Sequence, residues 1–128
     1  MALEFSAQPA PPLQLTATCT IYSGIVRLVM TGRFFQSARA AADEFGGFLP
    51  DVPPLPAGAP EPRVWAEGWW MSTASAPASG FPAGVEYVRA TYLPDPRAGG
   101  TARWLYLGGA AHIGKEITIG YRVTVQAV

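Results

Sequence analysis

Charge is what this chain has least of. Only 14% of its 128 residues are charged, against about 25% in an ordinary soluble domain. The charges cancel to a formal net of zero, and the basic residues, eight Arg and the single Lys115, are scattered one at a time. Such an arrangement cannot neutralise a run of phosphates, which argues against nucleic acid as a partner. A surface so poor in charge dissolves less readily as a monomer. Part of it is therefore expected to lie against other subunits.

Residues that carry chemistry are scarce as well. One cysteine, Cys19, allows no intrachain disulfide. It falls on an apolar strand face and reads as a small buried hydrophobe. One histidine, His112, rules out a site built from several imidazoles; between two expected strands it reads as a turn residue. Metal sites need clustered His, Cys, Asp or Glu, yet only Asp43 and Glu44 are adjacent acids. No metal and no cofactor are expected. Ser72, Ser75 and Ser79 lie in a low-complexity stretch and lack the base and acid of a nucleophilic triad. Gly46-Gly47 and Gly99-Gly100 lack the Lys-Ser/Thr ending of a phosphate loop. Glu67 and Glu86 are the one pair of carboxylates that glycoside hydrolysis could use, although exposed glutamate on a strand is the ordinary case. The expectation is a protein that is not an enzyme. No apolar run approaches the roughly 18 residues of a membrane span. No basic segment followed by an apolar one opens the chain, which predicts synthesis in a cytoplasm without a secretory signal.

What is present is apolar residues, at 49%, with 13 prolines and 14 glycines as punctuation. Residues 1–12 end in Pro9-Ala10-Pro11-Pro12 and predict an extended arm, leaving 13–128 as a single domain. Residues 13–22 alternate, with Leu13, Leu15, Ala17, Cys19 and Ile21 on one face, and predict a half-buried strand. Ser23-Gly24 reads as a tight turn, and residues 25–35 as the return strand, with Val26, Leu28, Met30 and Phe34 on one face and Arg27 on the other. A short helix is one reading of residues 37–46, capped by Ser37 and ended by Gly46, against the placement of its charges. Six prolines between Pro50 and Pro62 make residues 47–62 a loop. Strands follow at 63–71 and 84–93. In the second, Val85, Tyr87, Arg89 and Thr91 oppose Glu86, Val88, Ala90 and Tyr92. After a turn at 94–100, a strand at 101–107 is expected to stop at Gly108-Gly109. Residues 116–128 close the chain, with Ile117, Ile119, Tyr121, Val123 and Val125 facing one way. Six or seven strands with at most one short helix predict an all-β antiparallel sandwich of jelly-roll type.

Trp69 and Trp70 are consecutive, so on a strand they point to opposite faces. One can enter the core, and the other needs a second cover. Aromatics and arginine are enriched at interfaces, which adds Tyr92, Arg97 and Trp104 as candidate binding or interface residues.

Two segments carry a resemblance. Gly24-Ile25-Val26-Arg27-Leu28-Val29-Met30-Thr31-Gly32-Arg33-Phe34 resembles a strand of tailed-phage tail-fibre and receptor-binding C-terminal domains. Leu55-Pro56-Ala57-Gly58, followed by Pro60 and Pro62, resembles their Leu-Pro-x-Gly-x-x-Pro loop, and Ile117–Val123 suits their last strand. Ala59-Pro60-Glu61-Pro62 replaces the aromatic-Arg-Pro ending usual in that loop. No shaft sequence precedes the domain. The resemblance implies a non-catalytic virion protein of a bacteriophage, trimeric, and placed either in a tail fibre or spike for host attachment or on the capsid as decoration. Its implied partners are itself, other virion proteins and a host surface glycan. The alternatives are a free lectin-like carbohydrate-binding module and, further off, a small glycosidase or a cupin-like isomerase.

Overall fold

The computed structural model describes residues 2–31, 43–73, 84–112 and 116–128. They form eight antiparallel strands and no helix: β1 Ala2–Pro9, β2 Leu13–Thr16, β3 Cys19–Thr31, β4 Asp43–Phe48, β5 Arg63–Thr73, β6 Gly84–Pro94, β7 Arg103–His112 and β8 Glu116–Gln126. Five strands make sheet A, in the order β1-β3-β8-β5 with β2 also on β3. Three make sheet B, in the order β4-β7-β6. From β3 to β6 the chain changes sheet at every connection. Consecutive strands share a sheet at the start, where β2 pairs with β3, and again at β6 and β7. This is the all-β sandwich that the strand pattern predicts, with a jelly-roll-like winding.

The core is the inward row of each strand. β8 is the clearest case: Ile117, Ile119, Tyr121 and Val123 are all 0% exposed, while Arg122 between them is exposed. Opposite them β3 contributes Val26 and Leu28, and β7 contributes Leu105 and Leu107. The proline-rich stretch after β4 adds Leu49 and Val52. It is tied in place by Leu49 N–H to the Leu105 carbonyl (2.9 Å) and by reciprocal backbone bonds between Leu55 and Arg103 (2.9 and 3.0 Å). The Arg103 guanidinium donates to the Ala59 carbonyl (3.0 Å) and bridges to Glu61 (3.4 Å). The stretch is thus irregular, as its prolines require, but two of its side chains are core.

Several expectations fail. Ser23-Gly24 is not a turn: β3 runs straight through it, and the reversal falls at Ala17-Thr18. Glycine is needed at 24 because a Cβ would lie 2.5 Å from the Gln8 carbonyl oxygen and 2.9 Å from the Tyr121 hydroxyl. Residues 2–9, expected as an arm, are the edge strand β1, paired with β3 from Ala2↔Thr31 to Pro9↔Gly24. A proline is tolerated there because it closes an edge strand. Leu13 and Leu15 alternate correctly but are 57% and 55% exposed, since β2 is a four-residue piece on the sheet's margin. The glycines at 108 and 109 do not stop β7. They let it pass close to Phe45 and to the Tyr87 backbone. Asp43 to Gly46, which one reading placed in a helix, begin β4, while residues 37–42 lie outside the described residues. Phe34, Ser75, Ser79 and Lys115 lie outside them too.

Candidate functional site

The five residues singled out as interface candidates are not brought together. Trp69 lies on the outer face of sheet A, 45% exposed, with its indole directly over Gly120 of the neighbouring strand; any Cβ at 120 would collide with it. Trp70, 48% exposed, has the inward parity of β5 but sits beside the irregularity between Trp70 and Ser72, so neither tryptophan enters the core. Tyr92 is core instead of surface: the β6–β7 register sets it opposite Leu105, 6% exposed. Arg97 is in the turn after β6, where its backbone N–H and its side chain both meet Asp95. Trp104 pairs with Leu93 on the outer side of sheet B, half-buried, with its indole nitrogen sealed from solvent and unpartnered.

Around Trp69 the register assembles a surface that no single strand shows. Outward rows run Gln8–Ile25–Gly120–Trp69 and Leu13–Ile21–Thr124–Trp65 across four strands. Leu13, Trp65 and Trp69 are each about half exposed, with Ile21 and Ile25 partly exposed between them. The row between holds Ser23, Arg122 and Glu67. Arg122 donates twice to the Glu67 carboxylate, at 3.2 and 2.8 Å. Those hydrogen bonds, and then the guanidinium charge, hold the Glu67 carboxyl below its ordinary range. Two partly apolar rows thus flank the Arg122–Glu67 pair, and one row beyond Trp69 the same face carries a second ion pair, Arg27 with Glu116. Trp65 was missed in the sequence, although Trp65, Glu67 and Trp69 already share strand parity.

Sheet B offers a different outer face. Its central strand presents Gly108 and Ala110 outward, between Gly46 and Glu44 on β4 and Arg89 and Tyr87 on β6. Tyr106 leans over Gly46 and meets Phe48 edge-on, with ring centroids 5.2 Å apart. The result is a trough of about 310 Å³ with Glu44, Tyr87, Arg89 and Tyr106 around Gly46, Gly108 and Gly109. The β6 alternation signalled that Tyr87 and Arg89 share a face. It did not say that small residues beside them leave a hollow.

Between the sheets lies a group that sequence reasoning passed over. Both carboxylate oxygens of Asp51 are sealed from solvent with no hydrogen-bond partner, and so is the Tyr121 hydroxyl. Burial pushes the Asp51 carboxyl up. Burial, and then the charge of Asp51, pushes the Tyr121 phenol up to about 12.

The carboxylate pair weighed for glycoside hydrolysis is divided: Glu67 lies on the outer face of sheet A and Glu86 on β6 of sheet B. A general acid needs a raised carboxyl, and Glu67 is moved the other way. Among the described residues no three of His, Cys, Asp and Glu are grouped to hold a metal ion. No family model matches the chain, and no curated protein and no solved structure is similar to it.

Proposed function

We propose that this chain is a non-catalytic assembly and attachment protein whose copies associate, as a trimer, through the outer face of sheet A. One observation carries the reading: Leu13, Trp65 and Trp69 stand half exposed on one flat face, with Ile21 and Ile25 between them. Exposed apolar rows of that kind, on either side of one polar row, fit an interaction site, and buried aromatics dominate interface energies. Four strands about 4.8 Å apart and eleven residues long give a face of roughly 700 Å². Shared among the three chains of a trimer, such faces bury roughly 2,000 Å² in all, above the roughly 1,000 Å² of a specific interface. The low charge of the chain supports the same reading. The setting we propose is the virion of a tailed phage, in a fibre or spike or as capsid decoration. It is supported by the motifs at 24–34, 55–62 and 117–123.

Light scattering across a concentration series tests the association. The parent should give a mass above that of one chain, and Trp65→Arg with Trp69→Arg should return it to the monomer. A parent that stays monomeric at high concentration, and in the particle it is purified from, rules the reading out. A second reading, a carbohydrate-binding module, is favoured by the trough on sheet B. It uses the opposite face, so the two can hold together.

A further inference from the structure

We infer that the trough on the outer face of sheet B binds a saccharide, with Arg89 and Glu44 dividing its hydroxyl groups and Tyr87 and Tyr106 supplying aromatic contact. The inference rests on the carbohydrate reading above and names its site. The geometry begins with the central strand. Gly108 and Gly109 keep the floor low, while residues of the two flanking strands rise on either side: Glu44 on β4, Tyr87 and Arg89 on β6. Tyr106 closes one end. At about 310 Å³ the hollow falls at the lower end of small-molecule sites, the scale of a sugar unit and not of a peptide.

The chemistry of the lining narrows the ligand. Arg89 brings donors only, and ionised Glu44 acceptors only. They stand on opposite walls, and among the described residues neither forms an ion pair or hydrogen bond with the other or with a neighbour. A polyol, each of whose hydroxyls both donates and accepts, can use both walls at once through charge-assisted bonds. One cation balanced by one anion gives no selection for a phosphate or a polyanion. Two tyrosines offer apolar ring surface with a polar tip, which suits the C–H face and hydroxyl rim of a pyranose. Tyr87 is 44% exposed and so is available for contact. A shallow site of this size should bind a single sugar unit with a dissociation constant on the order of 1 mM.

The test is saturation-transfer NMR and calorimetry on the full chain with glucose, galactose, rhamnose, N-acetylglucosamine and galacturonic acid, with alanine as the non-sugar control. At least one sugar should bind. Arg89→Ala and Tyr87→Ala should each weaken it by roughly tenfold or more, and Glu44→Gln by less, with the melting curve and the solution mass unchanged in all three. Sugar binding that survives all three substitutions would overturn this site and keep the carbohydrate reading. Failure of every sugar would overturn both, and saturation by alanine alone would reassign the trough to amino acids. Loss of binding in the Trp65→Arg, Trp69→Arg variant but not in Arg89→Ala would move the ligand to sheet A and so overturn the inference.

Discussion

The outer faces of the two sheets differ in what the central strand puts on show. On sheet A, β8 presents Thr118, Gly120, Arg122 and Thr124, and the apolar bulk stands on both sides of it, in Trp65 and Trp69 from β5 and Ile21 and Ile25 from β3. On sheet B, β7 presents Gly108 and Ala110, and its flanks carry Glu44, Arg89 and tyrosines. Small residues occur in both, at Gly120 and at Gly108. On sheet A the hollow is filled by the Trp69 indole, which levels the surface. On sheet B the Tyr106 ring leans over Gly46 and reaches the edge of Gly108, and a hollow stays open beside it. The difference teaches that a glycine in a central strand makes a site only if its neighbours leave it uncovered. A level apolar face suits another protein, and an open polar trough suits a small ligand.

The comparison depends on which row of each strand faces out, and the largest effect tests that. Val123→Asp places a charge in the core between the sheets, where burial of an unpaired carboxylate costs several kcal/mol or forces its neutralisation. The protein should fail to fold, or melt far earlier. Thr124→Asp, one residue on and outward, should lower the melting temperature far less, and only through weaker association of copies. Equal losses in a melting series would mean that the faces are assigned the wrong way round.

Next in size is the levelling role of Trp69. Gly120→Val should displace the indole and lower the solution mass without unfolding the chain, since the ring can swing outward. If the mass measured by light scattering stays at the parent value, the indole over Gly120 is not part of the contact between copies.

Asp51 probes what lies between the two faces. Its carboxyl is raised by burial, so the folded protein favours the protonated form. Its contribution to stability is therefore complete in acid, below the unfolded value, and is lost as pH rises through the ordinary carboxylate value and then the raised one. Asp51→Asn should be more stable than the parent at neutral pH, with the advantage shrinking toward acid. Urea titrations at several pH values read this directly. A parent that gains stability as pH rises through that window, relative to Asp51→Asn, contradicts it. The smallest effect belongs to Glu67→Gln. The pair with Arg122 is exposed, and such pairs contribute little. Melting should move within error, while association, which would cover the pair, should become more sensitive to salt.

Much of this was legible before the fold was known. The alternation from Ile117 to Val123 identifies the inward row of β8 because a strand with one buried face must repeat every second residue. The same logic grouped Tyr92 with Val88 and Ala90, which is why its burial is no surprise once β6 is seen to face inward by that row. The misreadings share a cause. Ser23-Gly24 has the composition of a turn, but its glycine answers to Gln8 and Tyr121, residues distant in the chain. Prolines correctly excluded regular structure around residues 50–62, yet they do not exclude burial, and Leu49 and Val52 are core. Pro9 ended an arm in the sequence and an edge strand in the fold, since an edge strand can end on a residue without an N–H. The two outer faces were legible as parity, not as surfaces, because each is built from four or three strands whose order no local pattern contains.

The place of β8 has a consequence for how the protein comes into being. β8 is the last strand, Glu116–Gln126, yet it lies between β3 and β5 and pairs with both along their length. Its partners in β3, from Cys19 to Val29, are made 87 to 107 residues earlier. Until β8 is made, β3 has one edge open, β5 has no partner strand, and Val26 and Leu28 lack their neighbours Ile119 and Ile117. Pairing over such a separation is slow, and open strand edges with exposed apolar rows are the usual start of aggregation. Sheet A cannot be completed before β8 has been made, so the yield of soluble protein should depend on how the unfinished sheet is shielded more than on the stability of the finished one.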